Sequence, residues 1–272
     1  MMRALRSLLL ALVVGLFAVG HAYAQDDTPP LPNQSWSFSG LFGGLDEAAA
    51  QRGFLVYLNV CSNCHAMHQL HYRDLSGIGL TAAEIKSIAA SVTVPIGLNS
   101  QGEPATGPGT PASPFRSPFP NDQAARAAMN GALPPDLSLI VNAREGNADY
   151  VYGILTGFVA APAGFTVPPG KYYNTYFPGH LIAMPPPLSD GVVTYADGTK
   201  ATVPQMAHDV VTFLHWAANP EEVARKQMGV RVVLFLLLLT GLTYALKRKV
   251  WADVEHFATS PRLWRRRSSA PR

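Results

Sequence analysis

The chain is short of cysteine and short of charge, and each shortage excludes something. Its 272 residues hold only two cysteines, Cys61 and Cys64. They stand three positions apart in one motif, so no disulfide framework can staple the fold. Lys, Arg, Asp and Glu make up 14% of the residues against 48% hydrophobic, and the formal net charge is +3. That small sum is unevenly spread. Residues 25–224 carry eight Lys/Arg against sixteen Asp/Glu, a net of −8, and residues 225–272 carry eleven against two, a net of +9. An acidic body on a basic tail argues against nucleic acid as a partner. It predicts a membrane with the two parts on opposite sides.

What is present begins with Cys61-Ser-Asn-Cys64-His65, a C-x-x-C-H sequence. Two thiols on one forming turn can each add to a different vinyl group of a single porphyrin, and the adjoining imidazole then lies under the ring as an axial ligand. The motif therefore predicts one covalently attached haem c, held through Cys61 and Cys64 with His65 on the iron. An iron that only carries electrons needs a second ligand. Met1 and Met2 belong to the leader, Met228 to the membrane edge, Met67 stands too close to His65, and Met129 and Met206 read as helix core positions. Met184 remains, followed by Pro185-Pro-Pro187, which stiffen the backbone behind it. His180 is the other candidate, and a bis-histidine haem would have a lower potential than a His/Met one. His68 and His71 read as surface or core histidines.

The flanks predict export and anchoring. Arg3 and Arg6, the apolar stretch Leu8 to Val19 and the Ala22-Tyr-Ala24 site form a secretory signal cleaved after Ala24. Gly229 to Leu246 is apolar except for Arg231 and, with Met228, comes to 19 residues, near the ~20 that cross a bilayer. Lys247-Arg-Lys249 and Arg265-Arg-Arg267 follow it and place the C-terminus in the cytoplasm. The expected division is a signal peptide at 1–24, a periplasmic haem domain at 25–224, an anchor at 225–248 and a cytoplasmic basic tail at 249–272.

Between these ends the pattern is mainly α with long irregular loops. Helices are predicted at Leu45–Asn59, at Thr81–Ser91 with a Thr81/Glu84 capping box, at Asp122–Asn130, after Asp136, at Asp149–Thr156 and at Val203–Ala218. Residues 95–122 hold seven prolines and read as a loop. Asp197-Gly198 is the best hairpin signal, joining Val192–Tyr195 to Lys200–Val203.

Several stretches taken in order resemble the cytochrome c1 family. They are Arg52-Gly-Phe-Leu-Val-Tyr57, the C-x-x-C-H motif, Asn130-Gly-Ala-Leu-Pro-Pro-Asp-Leu-Ser138 and Asp149-Tyr150 with Leu155-Thr-Gly157. Tyr172-Tyr-Asn174, Tyr176-Phe-Pro-Gly179, Ile182-Ala-Met-Pro-Pro186, Trp216-Ala-Ala218 and Arg225-Lys-Gln-Met-Gly229 continue the series. The resemblance runs from about residue 36 to 251. It implies a cytochrome c-like haem domain with one C-terminal transmembrane helix, the electron-exit subunit of the ubiquinol–cytochrome c reductase (cytochrome bc1) complex. Cys61, Cys64, His65 and Met184 fall on the family's haem-binding positions, and Arg144 and Tyr150 on positions that contact a haem propionate. The implied partners are cytochrome b, a Rieske iron–sulfur protein, a soluble or membrane-bound cytochrome c acceptor and membrane lipid, in a homodimer of heterotrimers in a bacterial inner membrane. No acid, base or nucleophile of the chain's own is implied. This sequence departs from the family in Met129, where many relatives have a polar residue, and in lacking the extra cysteine pair of some bacterial relatives.

Two other functions compete. A stand-alone anchored cytochrome, or the cytochrome subunit of a periplasmic dehydrogenase, predicts a haem domain of about 100 residues on a flexible linker. A haem gas sensor or peroxidase predicts an iron site that stays open. The acidic body predicts a docking surface for a basic partner, with Asp26, Asp27, Glu103, Glu145 and Asp190 as candidate charges.

Overall fold

The computed structural model describes residues 28–259. The signal sequence, Asp26, Asp27 and Arg265–Arg267 lie outside the described residues. Two helices form the centre. Helix α1, Glu47–Asn59, starts one residue after Asp46, whose carboxylate accepts the Ala49 N–H at 3.0 Å. Further along the chain lie α2 (Ala82–Ala90), α3 (Asp122–Ala128) and α4 (Asn147–Thr156). Helix α5 covers Val203–Ala218, as its apolar stripe predicts, and buries Met206, Val210, Phe213 and Leu214. It packs along α1 so closely that a Cβ at Gly53 would run into the Asp209 carbonyl and come within 2.9 Å of the Phe213 Cβ. Only glycine permits that approach.

Aromatic rings fill the space beside this contact. Phe54 and Phe213 have centroids 5.5 Å apart, Tyr57 and Phe115 5.9 Å, and Tyr72 and Phe115 4.9 Å. One buried charge is also tied in. The Asp209 side chain is fully buried and takes a two-pronged bond from Arg52, Nε to Oδ2 and Nη2 to Oδ1, each 3.0 Å. Arg52 reaches Asp197 as well, at 3.0 Å. The hydrogen bond to Asp209 outweighs burial and holds the guanidinium well above its ordinary range.

Three sequence expectations are corrected. The ladder expected around Asp197-Gly198 is a turn instead. Gly198 N–H donates to the Tyr195 carbonyl at 3.3 Å, Thr199 N–H to Asp197 Oδ1 at 2.9 Å, and Val193 and Tyr195 sink into the core. Side-chain burial and the Arg52 tie draw this segment onto the helices and away from self-pairing. The longest hairpin lies in the stretch expected to be a loop, β1 (Thr93–Leu98) against β2 (Pro104–Pro108), antiparallel. A two-stranded ribbon leaves each strand one open edge, which tolerates proline at 95, 104 and 108. After Asp136 there is no helix but a run of turns, with Ala143 N–H to the Leu139 carbonyl at 3.0 Å. A second small pair joins β3 (Tyr172–Tyr173) to β4 (Leu181–Ile182). The last helix, α6 (Glu222–Thr259), is longer than the expected anchor. Residues Glu222–Ala252 are long and apolar enough to cross a membrane, and their most apolar window is wholly exposed.

Candidate haem site

Helix α1 runs straight into the C-x-x-C-H motif. Cys61–Asn63 form a tight 3-10 turn, closed by Cys64 N–H to the Cys61 carbonyl at 3.1 Å and His65 N–H to the same oxygen at 2.9 Å. The two side chains between the cysteines reach back to α1. Ser62 Oγ donates to the Leu58 carbonyl at 2.7 Å, and Asn63 Nδ2 to the Asn59 carbonyl at 3.1 Å. Both thiols are free and half-buried on one turn. Burial pushes the Cys61 thiol up to about 12, with Cys64 adding to the effect, so it is neutral near pH 7.

His65 lies on the next step of the chain. Its Nδ1 sits 2.8 Å from the carbonyl oxygen of Pro135. A carbonyl only accepts, so Nδ1 carries the hydrogen and Nε2 keeps its lone pair. Burial lowers the pKa of the ring, against a smaller opposing pull from the Pro135 bond and Asp136. A neutral imidazole, hydrogen-bonded through one nitrogen and open at the other, is what a metal ligand requires. Met67 is fully buried in the core.

Met184 stands on a separate segment, two residues beyond the buried Ile182 of β4, and is half-buried. Asn174 secures that segment. It is fully buried, its Nδ2 donates to the Ile154 carbonyl at 2.8 Å, and its Oδ1 accepts Tyr176 N–H at 3.0 Å. Its own N–H donates to the His180 carbonyl at 2.9 Å. The loop bearing Met184 is thus bound to the end of α4. Gly157 closes that helix where a Cβ would lie 2.7 Å from the Gly153 carbonyl and from the Tyr176 ring. His180, the competing ligand, stands on the same segment. It stacks on Tyr173 with centroids 5.2 Å apart, and its Nδ1 lies 3.2 Å from the Asn174 carbonyl. A cleft of about 360 Å³ opens beside the loop, lined by Leu155, Tyr173, Pro186 and Leu188 among others.

Arg144 precedes α4 and Tyr150 lies in its first turn. Arg144 is exposed, donates to the Ala143 carbonyl at 3.2 Å, and makes no salt bridge among the described residues. Tyr150 is half-buried against the core. The motif residues are brought together on one turn, whereas Arg144 and Tyr150 stand at the start of α4 and Met184 on the loop after β4. Asp136, Pro135 and Asn174 carry weight in this geometry that composition and spacing do not reveal. Their one signal is their place in the Pro-Pro-Asp and Tyr-Tyr-Asn stretches of the family resemblance.

Comparison with known proteins decides the family. The model of the Cytochrome C1 family matches residues 36–254. The chain belongs to the cytochrome c1 family. It is 47% identical over 253 residues to cytochrome c1 of Rhodospirillum rubrum, covering 87% of this chain and 93% of that relative. It is 44% identical over 225 residues to the mitochondrial cytochrome c1 haem protein of Saccharomyces cerevisiae, covering 82% and 73%. A cytochrome b/c1 protein of Bradyrhizobium diazoefficiens is 44% identical over 277 residues, which is 92% of this chain and 40% of the longer relative. A mainly helical haem-family domain with one long apolar C-terminal helix fits a membrane-anchored electron-transport protein.

Proposed function

We propose that the chain is the haem c subunit of a respiratory cytochrome bc1 complex, a relay that takes one electron from a Rieske iron–sulfur protein and passes it to a cytochrome c. The observation that carries this is the His65 ring, fixed through Nδ1 to Pro135 with Nε2 open, on the same turn as two free thiols, in a chain of this family. Cys61 and Cys64 would hold haem c through thioethers, with His65 and Met184 as axial ligands. Bound there, the haem supplies a one-electron iron couple. The chain's own residues do the rest. Pro135 sets the His65 tautomer, the Asn174 bonds and the three prolines keep the Met184 loop rigid, and Arg144 offers an uncompensated positive charge to a propionate. No side chain has to move a proton for the electron to pass.

In this reading, residues 1–24 are removed on export, 25–224 face the periplasm, 225–248 cross a bacterial inner membrane, and 249–272 lie in the cytoplasm. The long relative whose name joins cytochrome b to c1 supports cytochrome b as a neighbour. The complex is then a homodimer of cytochrome b, Rieske protein and this chain. Purification of the detergent-solubilised complex through a tag on this chain tests the assignment. Co-isolation of b-type haem and a 2Fe–2S centre is expected; isolation of a lone c-type cytochrome would reject it in favour of a stand-alone carrier.

A further inference from the structure

The acceptor for His65 is a backbone carbonyl, and a carbonyl is only as fixed as the residues on either side of it. Ahead of it, Pro134 and Pro135 restrict the chain. Behind it stands Asp136, whose two carboxylate oxygens are both engaged. Oδ1 accepts the Ser138 N–H at 2.8 Å. Oδ2 accepts the His68 backbone N–H at 2.8 Å and lies 2.6 Å from His68 Nδ1. Two further bonds lace the same segments together, Leu137 N–H to the Ala66 carbonyl at 2.9 Å and Gln69 N–H to Ser138 Oγ at 3.1 Å. Residues 135–138 are therefore fastened along 65–69, and the bond made by the His65 ring is one among several.

We propose that Asp136 is a positioning residue for the axial imidazole: by gripping His68 and Ser138 it aims the Pro135 carbonyl at His65 Nδ1 and so sets the redox poise of the haem. This rests on the reading that His65 ligates the iron. The bond to Nδ1–H makes the imidazole a stronger electron donor, and a stronger donor favours the ferric state. A carbonyl free to swing gives a longer, less linear bond and a weaker donor. Loss of the Asp136 grip therefore raises the midpoint potential. The bonds also favour the ionised carboxyl: burial opposes ionisation, but the bonds from Ser138 and His68 hold the group below the usual carboxylate range.

The test is redox titration with low-temperature EPR on the full chain in the purified complex, comparing the parent with Asp136→Ala, Asp136→Asn and His68→Ala. Asp136→Asn keeps the size of the group but sets an N–H pair against one of the two backbone N–H donors it now accepts. Both Asp136 variants are expected to retain covalent haem, raise the potential and shift the ferric g-values that report axial-ligand character. The Ala variant should change the ratio of oxidised to reduced haem by about tenfold at fixed potential, equivalent to 59 mV for one electron. His68→Ala keeps the backbone bond to Asp136 and should move both readouts less. A raised potential with parental g-values would mean that Asp136 acts only as a nearby charge, and would overturn the proposal. So would no change in either readout. If the Ala variant fails to load haem, the Asn variant decides by the same criteria. A parallel His65→Met variant separates failure of the ligand from failure of its support. If it keeps the parental spectrum, the ligand reading fails and the proposal falls with it. If it loses that spectrum while the Asp136 variants remain parental, only the proposal fails.

Discussion

Lys226 Nζ donates to the Phe38 carbonyl at 2.6 Å, joining the start of α6 to a segment 188 positions earlier in the chain. Around that bond is a small stack. Phe38 lies on His215 with ring centroids 3.5 Å apart, His215 Nε2 is 2.6 Å from Glu222, and Lys226 is 2.9 Å from Glu222. Trp36 continues the stack on Phe38 and donates from Nε1 to Asp149 at 2.8 Å. Residues 34–38 thus bridge α4, α5 and α6 at the base of the anchor. A freely swivelling linker, as a stand-alone cytochrome would use, has no place for such a joint.

The joint should weaken in acid. His215 Nδ1 is buried without a partner, and burial lowers the ring's pKa despite the bond to Glu222. A second proton would have to sit on Nδ1 with nothing to accept it. The folded pKa lies below the unfolded value of about 6.5, so the unfolded form binds more protons in that window and stability rises with pH. The contribution is therefore present above pH 6.5 and is lost as pH falls below it. The protection of residues 36–44 against hydrogen exchange, corrected for the intrinsic chemical rate, should fall between pH 7 and 5, and His215→Gln should remove that loss. A parental pH profile in that variant would show that another group controls the joint.

The Met184 reading separates two failures. Met184→Leu should keep covalent haem through Cys61 and Cys64, lose the sulfur ligand, drop the potential sharply and let the reduced haem bind CO. Asn174→Ala leaves the ligand in place but strands the Ile154 carbonyl and the Tyr176 N–H, a cost of about 1–3 kcal/mol for each buried group left unpaired. That variant should melt earlier and bind CO partially, as the loop lifts from α4. A Met184→Leu protein with the parental potential that still excludes CO would shift the assignment to His180.

How much of this is legible in the sequence varies with the range of the interaction. The Thr81/Glu84 box and the bounds of α5 are local patterns, and the structure bears them out. The same holds for the run of α1 up to the haem motif, which it reaches one residue short of Cys61. The pairing of Arg52 with Asp209 spans 157 positions, and no spacing rule marks it. Pro135 acts through its carbonyl, an atom that every residue has, so its letter says only that the chain is stiff there. The β1–β2 hairpin is hidden for the opposite reason, because prolines that an open edge tolerates look like loop punctuation.

The close approach of α1 and α5 gives a stability prediction with a single atom behind it. Gly53→Ala places a methyl group against the Asp209 backbone, which cannot rotate away as a side chain could. Separating the helices enough to admit it should cost about 1–3 kcal/mol by overpacking, and more if the Arg52–Asp209 pair opens as a result. The melting temperature of the haem absorbance should fall by several degrees, with the spectrum at room temperature unchanged. An unaltered melt would mean that the two helices slide freely at this contact.

The acidic body is expected to steer a basic partner, and the structure narrows which acids can be tested. Asp190 accepts the Val203 N–H at 2.7 Å at the head of α5, so replacing it disturbs a helix start as well as a charge. Glu103 accepts from the Asn99 side chain and belongs to the β1–β2 connection. Glu145 is exposed, beside the exposed Arg144, and makes no salt bridge among the described residues, so it is the cleaner probe. Rim charges act mainly on association rate, and raising ionic strength from 0.01 to 0.1 M shortens the screening length from about 30 to about 10 Å. Electron transfer to a basic cytochrome c should slow over that range. Glu145→Gln should slow it at low salt by about two- to threefold, flatten the salt dependence and leave the haem spectrum and the potential unchanged. Stopped-flow rates at several salt concentrations read this directly. A rate that is independent of salt, or that rises with it, would mean that apolar contact or tethering holds the acceptor and that the negative surface serves another purpose.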